Sequence, residues 1–473
     1  MHRWLRGPWQ WAAVGIATVV VAVTGTAWWI GDGVHRSWLL GGAESATAGN
    51  ILVIGLDSRL DQDGNPLPRD IYRALHAGGA SDGGENANVL MLVHVPKDGG
   101  RATSISIPRD DYVALPGCPA GHCQAKIKHA YGLAFDVAQQ QLAHTPGLTQ
   151  EQRVQQARDA GRKAQIEAVD QFLGVRIDHF VEVTMVAFYE IAKVVQPVTV
   201  CVDHATRDSY SGANFHAGMQ QLSGVQAVAF VRQRRDESRA ALNFSDLDRE
   251  RRQQAFLASL AHRLQESGTL TDPRTLMGLF DVAKRNIAVD GDLDLLGFAR
   301  SAADLAGNTT FVTLPVVKFG RTPEGEDVNI VDVPAVQALV RGLLDDKAHA
   351  SSRPDGTIDV VNANGEEGLA GRVQRALVTV GYRGGSTGNG ADRADRTVVY
   401  HHNNGDAAGS LAKTLGGAET QPDNAVPAGH LRVVLGEDFT MPTALLEAVQ
   451  GPAPGTGISP APIPAGLSVP CVK

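Results

Sequence analysis

An uncharged, largely apolar run near the start of the chain, residues 11–30, most constrains what this chain can fold into. Its sequence is WAAVGIATVVVAVTGTAWWI, and about 20 apolar residues are what a helix needs to cross a bilayer. Arg3 and Arg6 precede the run without any acidic residue, which predicts a cytoplasmic N-terminus and an extracytoplasmic remainder. A cleaved signal peptide is the alternative, but bulky Trp28, Trp29 and Ile30 stand where a small-residue cleavage site would be. We therefore expect a single-pass anchor in the cell membrane.

The length and the charge of the chain limit its organisation and its partners. The chain has 473 residues, which is more than one compact core usually holds and predicts at least two domains. Its formal net charge of -8 argues against nucleic acid as a partner, because such proteins need a positive field to displace counterions from phosphates. Any phosphate chemistry must therefore come from locally clustered basic residues.

Four cysteines fit an extracytoplasmic location, where disulfide bonds persist. Cys118 and Cys123 lie in the turn-rich stretch PGCPAGHC and are close enough in sequence to bridge locally. Pairing of Cys201 with Cys471 would tie the tail to the first domain, a hypothesis that rests on parity alone. A zinc site is the alternative, although the spacing matches no standard ligand pair; its ligands would be Cys118, His122, Cys123 and His129.

Apolar runs and helical patterns alternate after the anchor. The segment 31–50 is interpreted as a polar stalk, and the runs at 51–56, 89–95 and 102–107 predict three strands, the last two joined by a hairpin at PKDGG. Residues 149–173 and 248–266 have helical patterns, and 181–200 is apolar. These elements predict one large α/β domain over residues 51–344.

A second, smaller domain is predicted after a polar linker at 345–356. Within residues 357–440 the pattern is β-α-β-α-β, with strands at 358–362, 397–401 and 431–435 and helices at 368–380 and 407–415. The stretch GGSTGNG is interpreted as a loop. The tail, 441–473, is rich in proline and glycine and is expected to be extended or disordered.

Three polar residues follow or precede the first three predicted strands. If these strands pair in sequence as antiparallel neighbours, then Asp57, Asn88 and Arg109 share one edge of the sheet. The alternative for Asp57 and Ser58 is a simple turn or helix cap. Ser58 is a poor candidate for a hydrolase nucleophile, because GLDSR lacks the flanking glycines of a nucleophile elbow.

A second polar cluster lies in VRQRRDESRAALNFSDLDRERRQQ, residues 231–254. In an extended segment Arg232 and Arg234 would point to one face, where two guanidinium groups suit a pyrophosphate. In the following helix Asp246, Arg249 and Gln253 stand at i, i+3 and i+7 and therefore share a face. The alternative is a solvated, charge-rich surface helix.

Five motifs in this order and spacing resemble the LytR-CpsA-Psr domain: GLDSR, SIPRD, KIKHAY, FHAGMQQLSGVQAVAFVRQR and D-x-x-R-x-x-R-Q at 246–253. The stretch DVVNANGEEGLAGRVQRALVTVGY looks like the LytR C-terminal domain of actinobacterial members. The resemblance implies an α-β-α domain with a mixed central sheet, followed by a small βαβαβ domain. It also implies an extracytoplasmic phosphotransferase that moves a glycopolymer from a polyprenyl-pyrophosphate carrier to peptidoglycan.

The resemblance also assigns roles to residues. Asp57, with Asn88 in the second ligand position, would hold Mg²⁺ or Mn²⁺, and Arg109, Arg232, Arg234 and Arg249 would bind the pyrophosphate. Gln253 and Asp246 would complete the site, with Asp246 the first and Asp248 the second candidate for activating the acceptor. Further substrate contacts are expected from Arg59, Lys126 and Arg252. An apolar pocket between the sheet and the helices would take the polyprenyl tail.

The sequence departs from the family pattern at one important place. The usual R-S-D-T aligns with Asn86, Ala87, Asn88 and Val89, so asparagine replaces both the arginine and the second metal-binding aspartate. An amide oxygen can bind Mg²⁺ but brings no negative charge, so the affinity for metal should fall. Lys128 stands where the family usually has asparagine and is either a phosphate contact or a solvated charge.

Two other functions remain open at this stage. The chain could be a polyprenyl-pyrophosphate-binding scaffold with weak or no transferase activity, because of Asn86 and Asn88. Transcriptional regulation is the third hypothesis, and the predicted anchor, the outward topology and the acidic balance count against it.

Overall fold

The computed structural model describes residues 34–41, 48–74, 84–96, 102–238, 244, 246–265, 272–293, 309–344, 356–366, 368–380, 382–443, 445–446, 463–464, 469 and 471–473. Within these ranges, no helix has both the length and the apolar character needed to span a bilayer. The predicted anchor, residues 11–30, and the predicted linker up to residue 355 lie outside the described residues and stay predictions.

The first domain alternates strands and helices. Its strands are β1 (His35–Ser37), β2 (Gly49–Leu56), β3 (Ala87–Val95), β4 (Ala102–Ser106), β5 (Tyr112–Ala114), β6 (Gln124–Lys126), β7 (His179–Thr184), β8 (Val198–Val202), β9 (Thr206–Asp208), β10 (Ala213–Phe215), β11 (Gly218–Leu222), β12 (Ile287–Asp290), β13 (Thr309–Thr313), β14 (Lys318–Arg321) and β15 (Asp327–Ile330). Its α-helices are α1 (Arg69–Ala74), α2 (His129–Leu142), α3 (Gln150–Leu173), α4 (Met185–Val195), α5 (Gly224–Arg232), α6 (Asp246–Gln265), α7 (Pro273–Asn286) and α8 (Val333–Leu343).

The second domain and the tail supply the remaining elements. The second domain contains β16 (Thr357–Asn362), α9 (Leu369–Thr379), β17 (Arg383–Asn389), β18 (Val398–His401), α10 (Gly405–Thr414), β19 (Glu419–Pro422) and β20 (His430–Leu435). Its sheet has the order β17-β16-β20-β18-β19. Two short strands of the tail follow, β21 (Ile463–Pro464) and β22 (Cys471–Val472).

The central sheet of the first domain is mixed, as expected. Its strand order is β1-β12-β7-β2-β3-β4-β13-β21. Strands β2, β3 and β4 are antiparallel neighbours, which confirms the predicted meander. Strand β7 lies parallel to β2, and β13 lies parallel to β4. The end of β2, the start of β3 and the end of β4 therefore meet at one edge of the sheet.

Two apolar cores cover the two faces of this sheet. Ile51 and Val53 pack into one core with residues of helices α4 to α7. Leu52 and Ile54, which alternate with them along β2, pack into the other core with residues of α2, α3 and α8. Because successive side chains of a strand point to opposite faces, one strand contributes to both cores. The result is the expected α-β-α layering.

Helix α3 has clear start and stop signals. Gln152 N donates to Thr149 Oγ1 (3.2 Å), and Thr149 N donates to Gln152 Oε1 (2.9 Å), which forms a capping box. The helix ends at Gly174, whose φ of 67° is the left-handed conformation that glycine adopts without strain. The predicted helix at 149–173 is thereby confirmed.

The structure differs from the sequence-based expectations in several segments, and β-α-β-α-β is wrong for the second domain, because β17 and β19 add two strands to the three predicted. Strand β1 pairs with β12, although residues 31–50 were interpreted as a stalk. GGSTGNG, interpreted as a loop, forms most of β17, because an edge strand needs only backbone hydrogen bonds to one neighbour, here β16. The tail, expected to be extended or disordered, contributes β21 to the central sheet and β22 to a small sheet beside β8.

Both predicted disulfide bonds are present. Cys118 bonds to Cys123 with an S–S distance of 2.03 Å, and Cys201 bonds to Cys471 across a sequence separation of 270. The alternative zinc site is therefore wrong, because its two cysteines are oxidised and cannot supply thiolate ligands.

Candidate functional site

A cavity of about 420 Å³ lies at the edge of the central sheet where β2, β3 and β4 meet. Seven residues of the predicted site line it: Asp57, Asn88, Arg109, Arg232, Arg234, Arg249 and Gln253. Its apolar wall comes from the sheet and from α4 to α6, and includes Val53, Val183, Met185, Phe188, Val228, Val231 and Leu257. The cavity thus combines a cationic side with an apolar side.

The three residues predicted to share the sheet edge are in direct contact. Asn88 Nδ2 donates to Asp57 Oδ2 (2.8 Å), and Arg109 Nη1 donates to Asn88 Oδ1 (2.5 Å). A guanidinium group only donates, so Asn88 must present its oxygen to Arg109 and its amide hydrogens to Asp57. The prediction that strand order would bring Asp57, Asn88 and Arg109 together is confirmed.

Arg59 supports Asp57 from the following loop. Its Nη1 donates to Asp57 O (2.7 Å) and lies 3.1 Å from Asp57 Oδ1. Arg59 is not among the residues that line the cavity. The Arg59 guanidinium therefore contacts Asp57, and direct contact with substrate remains a prediction.

Arg232 and Arg234 both line the cavity, but the predicted reason is wrong for Arg232. A capping box of Ser223 and Gln226 starts α5, and the helix continues to Arg232. The chain becomes extended only at Gln233, which has φ -55° and ψ 130°. Alternation of side chains along a strand therefore does not explain why Arg232 and Arg234 both reach the cavity. They reach it because α5 ends at Arg232 and the chain then bends at Gln233.

Burial makes Arg232 sensitive to nearby charge. Desolvation lowers the pKa of its guanidinium below the usual value, and Asp57 and Asp208 counteract this shift while Arg59 adds to it. A bound anion would stabilise the charged form of Arg232 in the same way as these carboxylates.

Helix α6 faces the cavity with one row of residues. Arg249, Gln253 and Leu257, at i, i+4 and i+8, all line it, which confirms the predicted common face for Arg249 and Gln253. Asp246 is the first residue of α6, but its side chain lies outside the described part of the structure. Its role as acceptor base stays a prediction.

Arg252 and Lys126 do not line the cavity. Arg252 is fully buried and donates to Gln233 Oε1 (2.7 Å), Thr206 Oγ1 (3.3 Å) and Lys473 O (2.6 Å). Lys126 Nζ lies 2.9 Å from Glu326 Oε1 and 3.7 Å from Asp110 Oδ1. The structure thus pairs both cations with protein acceptors outside the cavity, and their predicted contacts with substrate stay predictions.

Lys128 has a protein partner as well. Its Nζ donates to Asp110 Oδ1 (2.6 Å). This ion pair does not decide whether Lys128 is a phosphate contact or a solvated charge. It places Lys128 next to Lys126, whose ammonium also approaches Asp110.

Five polar cavity residues were missed from the sequence: Thr184, Asp208, Tyr210, Ser211 and Arg235. Asp208 accepts from Arg234 N (3.2 Å) and Tyr210 N (3.0 Å), so it holds the backbone beside the arginines. The Arg235 guanidinium lies 4.2 Å from the centre of the Tyr210 ring. Arg235 belongs to the arginine run that the sequence shows. Asp208 and Tyr210 carried no signal, because the hairpin of β9 and β10 has strands of only three residues.

A buried ionic network supports the loop that carries Asp57 and Arg59. Glu182 is fully buried on β7 and accepts from Arg162 Nε (2.8 Å) and Tyr131 Oη (2.8 Å). Burial alone would raise the pKa of Glu182, but Arg162 and Arg158 lower it to about 2. Arg158 Nη2 also donates to Asp61 O (2.9 Å), which fixes the loop after β2.

The donor set beside Asp57 fits a weakly held divalent cation. Asp57 offers a carboxylate and Asn88 an amide oxygen, and Mg²⁺ commonly binds one or two protein groups together with substrate phosphates. Both groups already accept hydrogen bonds, from Asn88 and from Arg109. Among the described residues no cluster of three or more His, Cys, Asp or Glu side chains has a metal-binding arrangement. A cation here would therefore depend on oxygens of the substrate.

The charges of the cavity contrast with those of the chain. Five arginines and two aspartates line it, although the chain as a whole carries a net charge of -8. Several guanidinium groups in one cavity suit an anion with more than one phosphate, because each can form bidentate hydrogen bonds. The apolar wall suits a hydrocarbon group attached to that anion.

Comparisons with known proteins identify the family of both domains. The LytR_cpsA_psr family model matches residues 34–343, and the model described as LytR cell envelope-related transcriptional attenuator matches residues 355–439. The cell wall biosynthesis protein LcpA of Corynebacterium glutamicum is 34% identical over 444 residues, which cover 88% of this chain and 83% of that protein.

More distant relatives include a named transferase and a solved structure. The polyisoprenyl-teichoic acid–peptidoglycan teichoic acid transferase TagU of Bacillus subtilis is 23% identical over 56% of this chain and 74% of that protein. The structure of the LytR-Csp2A-Psr enzyme from Actinomyces oris aligns with a TM-score of 0.42 and 21% identity, over 65% of this chain and 95% of that chain.

Proposed function

This chain belongs to the LytR-CpsA-Psr family, and we propose that it attaches a glycopolymer to peptidoglycan during cell-wall assembly, with a polyprenyl pyrophosphate as the glycopolymer's carrier. The observation that carries the proposal is the cavity whose lining combines five arginines with apolar side chains. The names of relatives support it: LcpA is a cell wall biosynthesis protein, and TagU is a peptidoglycan teichoic acid transferase. The site would work on the outer side of the cell membrane.

The proposed donor matches both sides of the cavity. Arg109, Arg232, Arg234 and Arg249 would bind the pyrophosphate oxygens, and Gln253 would add an amide contact. The first part of the polyprenyl chain would lie against the apolar wall of Val183, Phe188 and Leu257. This arrangement fixes the direction of the donor, because the hydrocarbon and the sugar must leave the phosphates on opposite sides.

The proposed reaction is a phosphoryl transfer without a protein nucleophile. A hydroxyl oxygen of peptidoglycan attacks the phosphorus atom that carries the sugar, and the bond from that phosphorus to the bridging oxygen breaks. Polyprenyl monophosphate leaves with the electron pair, and the acceptor keeps one phosphate between itself and the glycan. Catalysis then rests on positioning and charge stabilisation, for which several arginines are suited.

The hydroxyl proton of the acceptor requires a base. We assign this role first to Asp246, at the start of α6, and second to Asp248. Asp248 Oδ2 lies 3.1 Å from Lys473 Nζ, so this oxygen already has a protein partner and Asp248 is the second candidate. Asp208 is a poor candidate because its carboxylate already accepts from Arg234 N, Tyr210 N and Ser211 Oγ.

We propose Mg²⁺ or Mn²⁺ as the cofactor, held by Asp57 and the amide oxygen of Asn88 together with donor phosphates. When bound, the cation supplies charge neutralisation at the pyrophosphate. Asn88→Asp should then raise the affinity for Mg²⁺ by about tenfold, because a second carboxylate adds charge to the donor set. Titration of Mg²⁺ into the protein with inorganic pyrophosphate, followed by calorimetry, measures this change. Unchanged Mg²⁺ affinity in Asn88→Asp would show that the cation does not bind beside Asp57.

A scaffold without turnover is the second candidate, and the asparagine at position 88 favours it. Purified protein, a synthetic polyprenyl-pyrophosphate oligosaccharide and peptidoglycan separate the two functions. The enzyme consumes donor in the presence of Mg²⁺ and labels the peptidoglycan. A scaffold binds the donor and leaves it intact, and Asn88→Asp would then produce activity that the natural chain lacks.

A further inference from the structure

The last three described residues of the chain, 471–473, contact β8 and α6 of the first domain. We refer to them as the C-terminal strap. Strand β22 pairs with β8 and places Cys471 opposite Cys201, to which it is bonded. Asp203 N also donates to Val472 O (2.9 Å). The strap lies far in sequence from the family match at 34–343, yet it completes a sheet of that domain.

The strap ends on the helix that lines the cavity. Lys473 Nζ lies 3.1 Å from Asp248 Oδ2, and Lys473 O accepts from Arg252 Nε (2.6 Å). Asp248 and Arg252 stand one residue before Arg249 and Gln253, the two polar residues that α6 presents to the cavity. The strap therefore holds the first two turns of α6 through residues that lie about 100° around the helix from those that line the cavity.

Arg252 extends this contact to residues 232–235, which we call the arginine segment. Its Nη1 donates to Gln233 Oε1 (2.7 Å), and its Nη2 donates to Thr206 Oγ1 (3.3 Å). Gln233 stands between Arg232 and Arg234, and its Nε2 donates to Arg235 O (2.8 Å). One buried guanidinium thus joins the strap, α6, the arginine segment and the β9 hairpin.

Loss of one hydrogen-bond acceptor of Arg252 would disturb its contacts with the arginine segment. Arg252 is completely buried, with its guanidinium 4.6 Å from the centre of the Phe244 ring and 4.8 Å from that of Phe230. A buried cation that loses a hydrogen-bond acceptor must find another or move toward water. Because its remaining polar partners are Gln233 and Thr206, that movement would shift the backbone that carries Arg232, Arg234 and Arg235.

We propose that the C-terminal strap and Arg252 are positioning elements of the anion site, which set the spacing between the arginines of α6 and those that follow α5. The inference rests on the proposed function for the identity of the anion. It gives the Cys201–Cys471 bond a role in substrate binding in addition to stability, because supporting contacts of this kind determine how well a site is preorganised.

Three variants of the full chain test the strap. Cys201→Ala/Cys471→Ala releases it, and Lys473→Ala removes the Asp248 pair while Lys473→Arg restores it. Cys118→Ala/Cys123→Ala is the matched control, because it removes the other disulfide bond, whose residues do not line the cavity. All measurements are made at a temperature at which circular dichroism shows each variant folded.

The affinity for inorganic pyrophosphate is the first readout. We expect it to fall about tenfold in Cys201→Ala/Cys471→Ala and about threefold in Lys473→Ala, as for lost supporting contacts. It should recover in Lys473→Arg and stay unchanged in the control. Amide exchange of residues 247–253 should accelerate in the two weakened variants only. With donor substrate, KM should rise, which a smaller folded fraction does not produce, because loss of folded protein lowers only the apparent kcat.

The two proposals fail in different ways. A folded Cys201→Ala/Cys471→Ala variant with unchanged pyrophosphate affinity and unchanged exchange in α6 would overturn the role of the strap. If that variant does not fold, unchanged pyrophosphate affinity and unchanged exchange in Lys473→Ala would overturn the role of the strap instead. Absence of turnover in the natural chain, with strap-dependent binding and exchange intact, would instead overturn the transferase and leave the strap standing.

Discussion

Arg234→Ala is expected to reduce kcat for glycopolymer transfer by about 10³-fold while the fold stays intact, as when an arginine that stabilises phosphoryl-transfer charge is lost. Arg234 lines the cavity and is exposed, and its backbone rather than its side chain binds Asp208. Truncation therefore removes a substrate contact without leaving a buried group unpaired. Single-turnover assays with a polyprenyl-pyrophosphate oligosaccharide measure the rate, and circular dichroism checks the fold.

Two further variants make this test specific. Arg207→Ala is the matched control: Arg207 is an exposed arginine on β9 that does not line the cavity, so we expect wild-type turnover. Arg234→Lys keeps the charge but loses the planar pair of donors and should recover only part of the rate. Wild-type turnover in Arg234→Ala would refute the assignment of the arginine segment to the pyrophosphate.

Glu182→Gln is expected to lower the free energy of unfolding by about 3–5 kcal/mol, because it leaves two buried arginines without their carboxylate. Arg158 and Arg162 both donate to Glu182, and all three side chains are buried. Arg158 also fixes the loop that carries Asp57, through Asp61 O and Ser58 Oγ. We therefore expect weaker pyrophosphate binding as well, measured beside urea denaturation.

The same carboxylate predicts the response to acid. The pKa of Glu182 is about 2 in the folded state and 4.5 as its ordinary value, so the folded state favours the ionised form. Its contribution, about 3 kcal/mol by proton linkage, is complete above pH 4.5 and is lost as the pH falls toward 2. Glu167→Gln, which removes a surface pair with Lys163, should leave this profile unchanged. A parallel loss of acid stability in Glu167→Gln would contradict the role of Glu182.

Local patterns in the sequence were sufficient to predict the sheet edge. Three successive apolar runs predicted β2, β3 and β4, and antiparallel pairing then brought Asp57, Asn88 and Arg109 together. The helical period likewise placed Arg249 and Gln253 on one face of α6. Each of these predictions depends on the order of successive strands or on the period of one helix. Backbone geometry alone then determines which side chains share an edge or a face.

Long-range packing accounts for what the sequence did not show. Arg158 and Arg162 lie in a charge-rich helix that resembles a solvated surface, yet both are buried because β7 places Glu182 between them. Arg252 was expected to contact substrate, but it precedes the cavity-lining Gln253 by one residue, and this step of about 100° around the helix turns it away from the cavity and toward the strap. Asp208 and Tyr210 reach the cavity through a hairpin too short to leave a periodic pattern.

The number of phosphates in the products tests the proposed phosphoryl transfer most directly. A donor labelled with ³²P in both phosphates, purified protein, Mg²⁺ and peptidoglycan are incubated, and the lipid and the peptidoglycan are separated. Breakage of the bond between the phosphates predicts polyprenyl monophosphate in the lipid fraction and one labelled phosphate per glycan on the peptidoglycan. Polyprenyl pyrophosphate in the lipid fraction, with unlabelled glycan on the peptidoglycan, would contradict the account, because the bond broken would then be the one between sugar and phosphate.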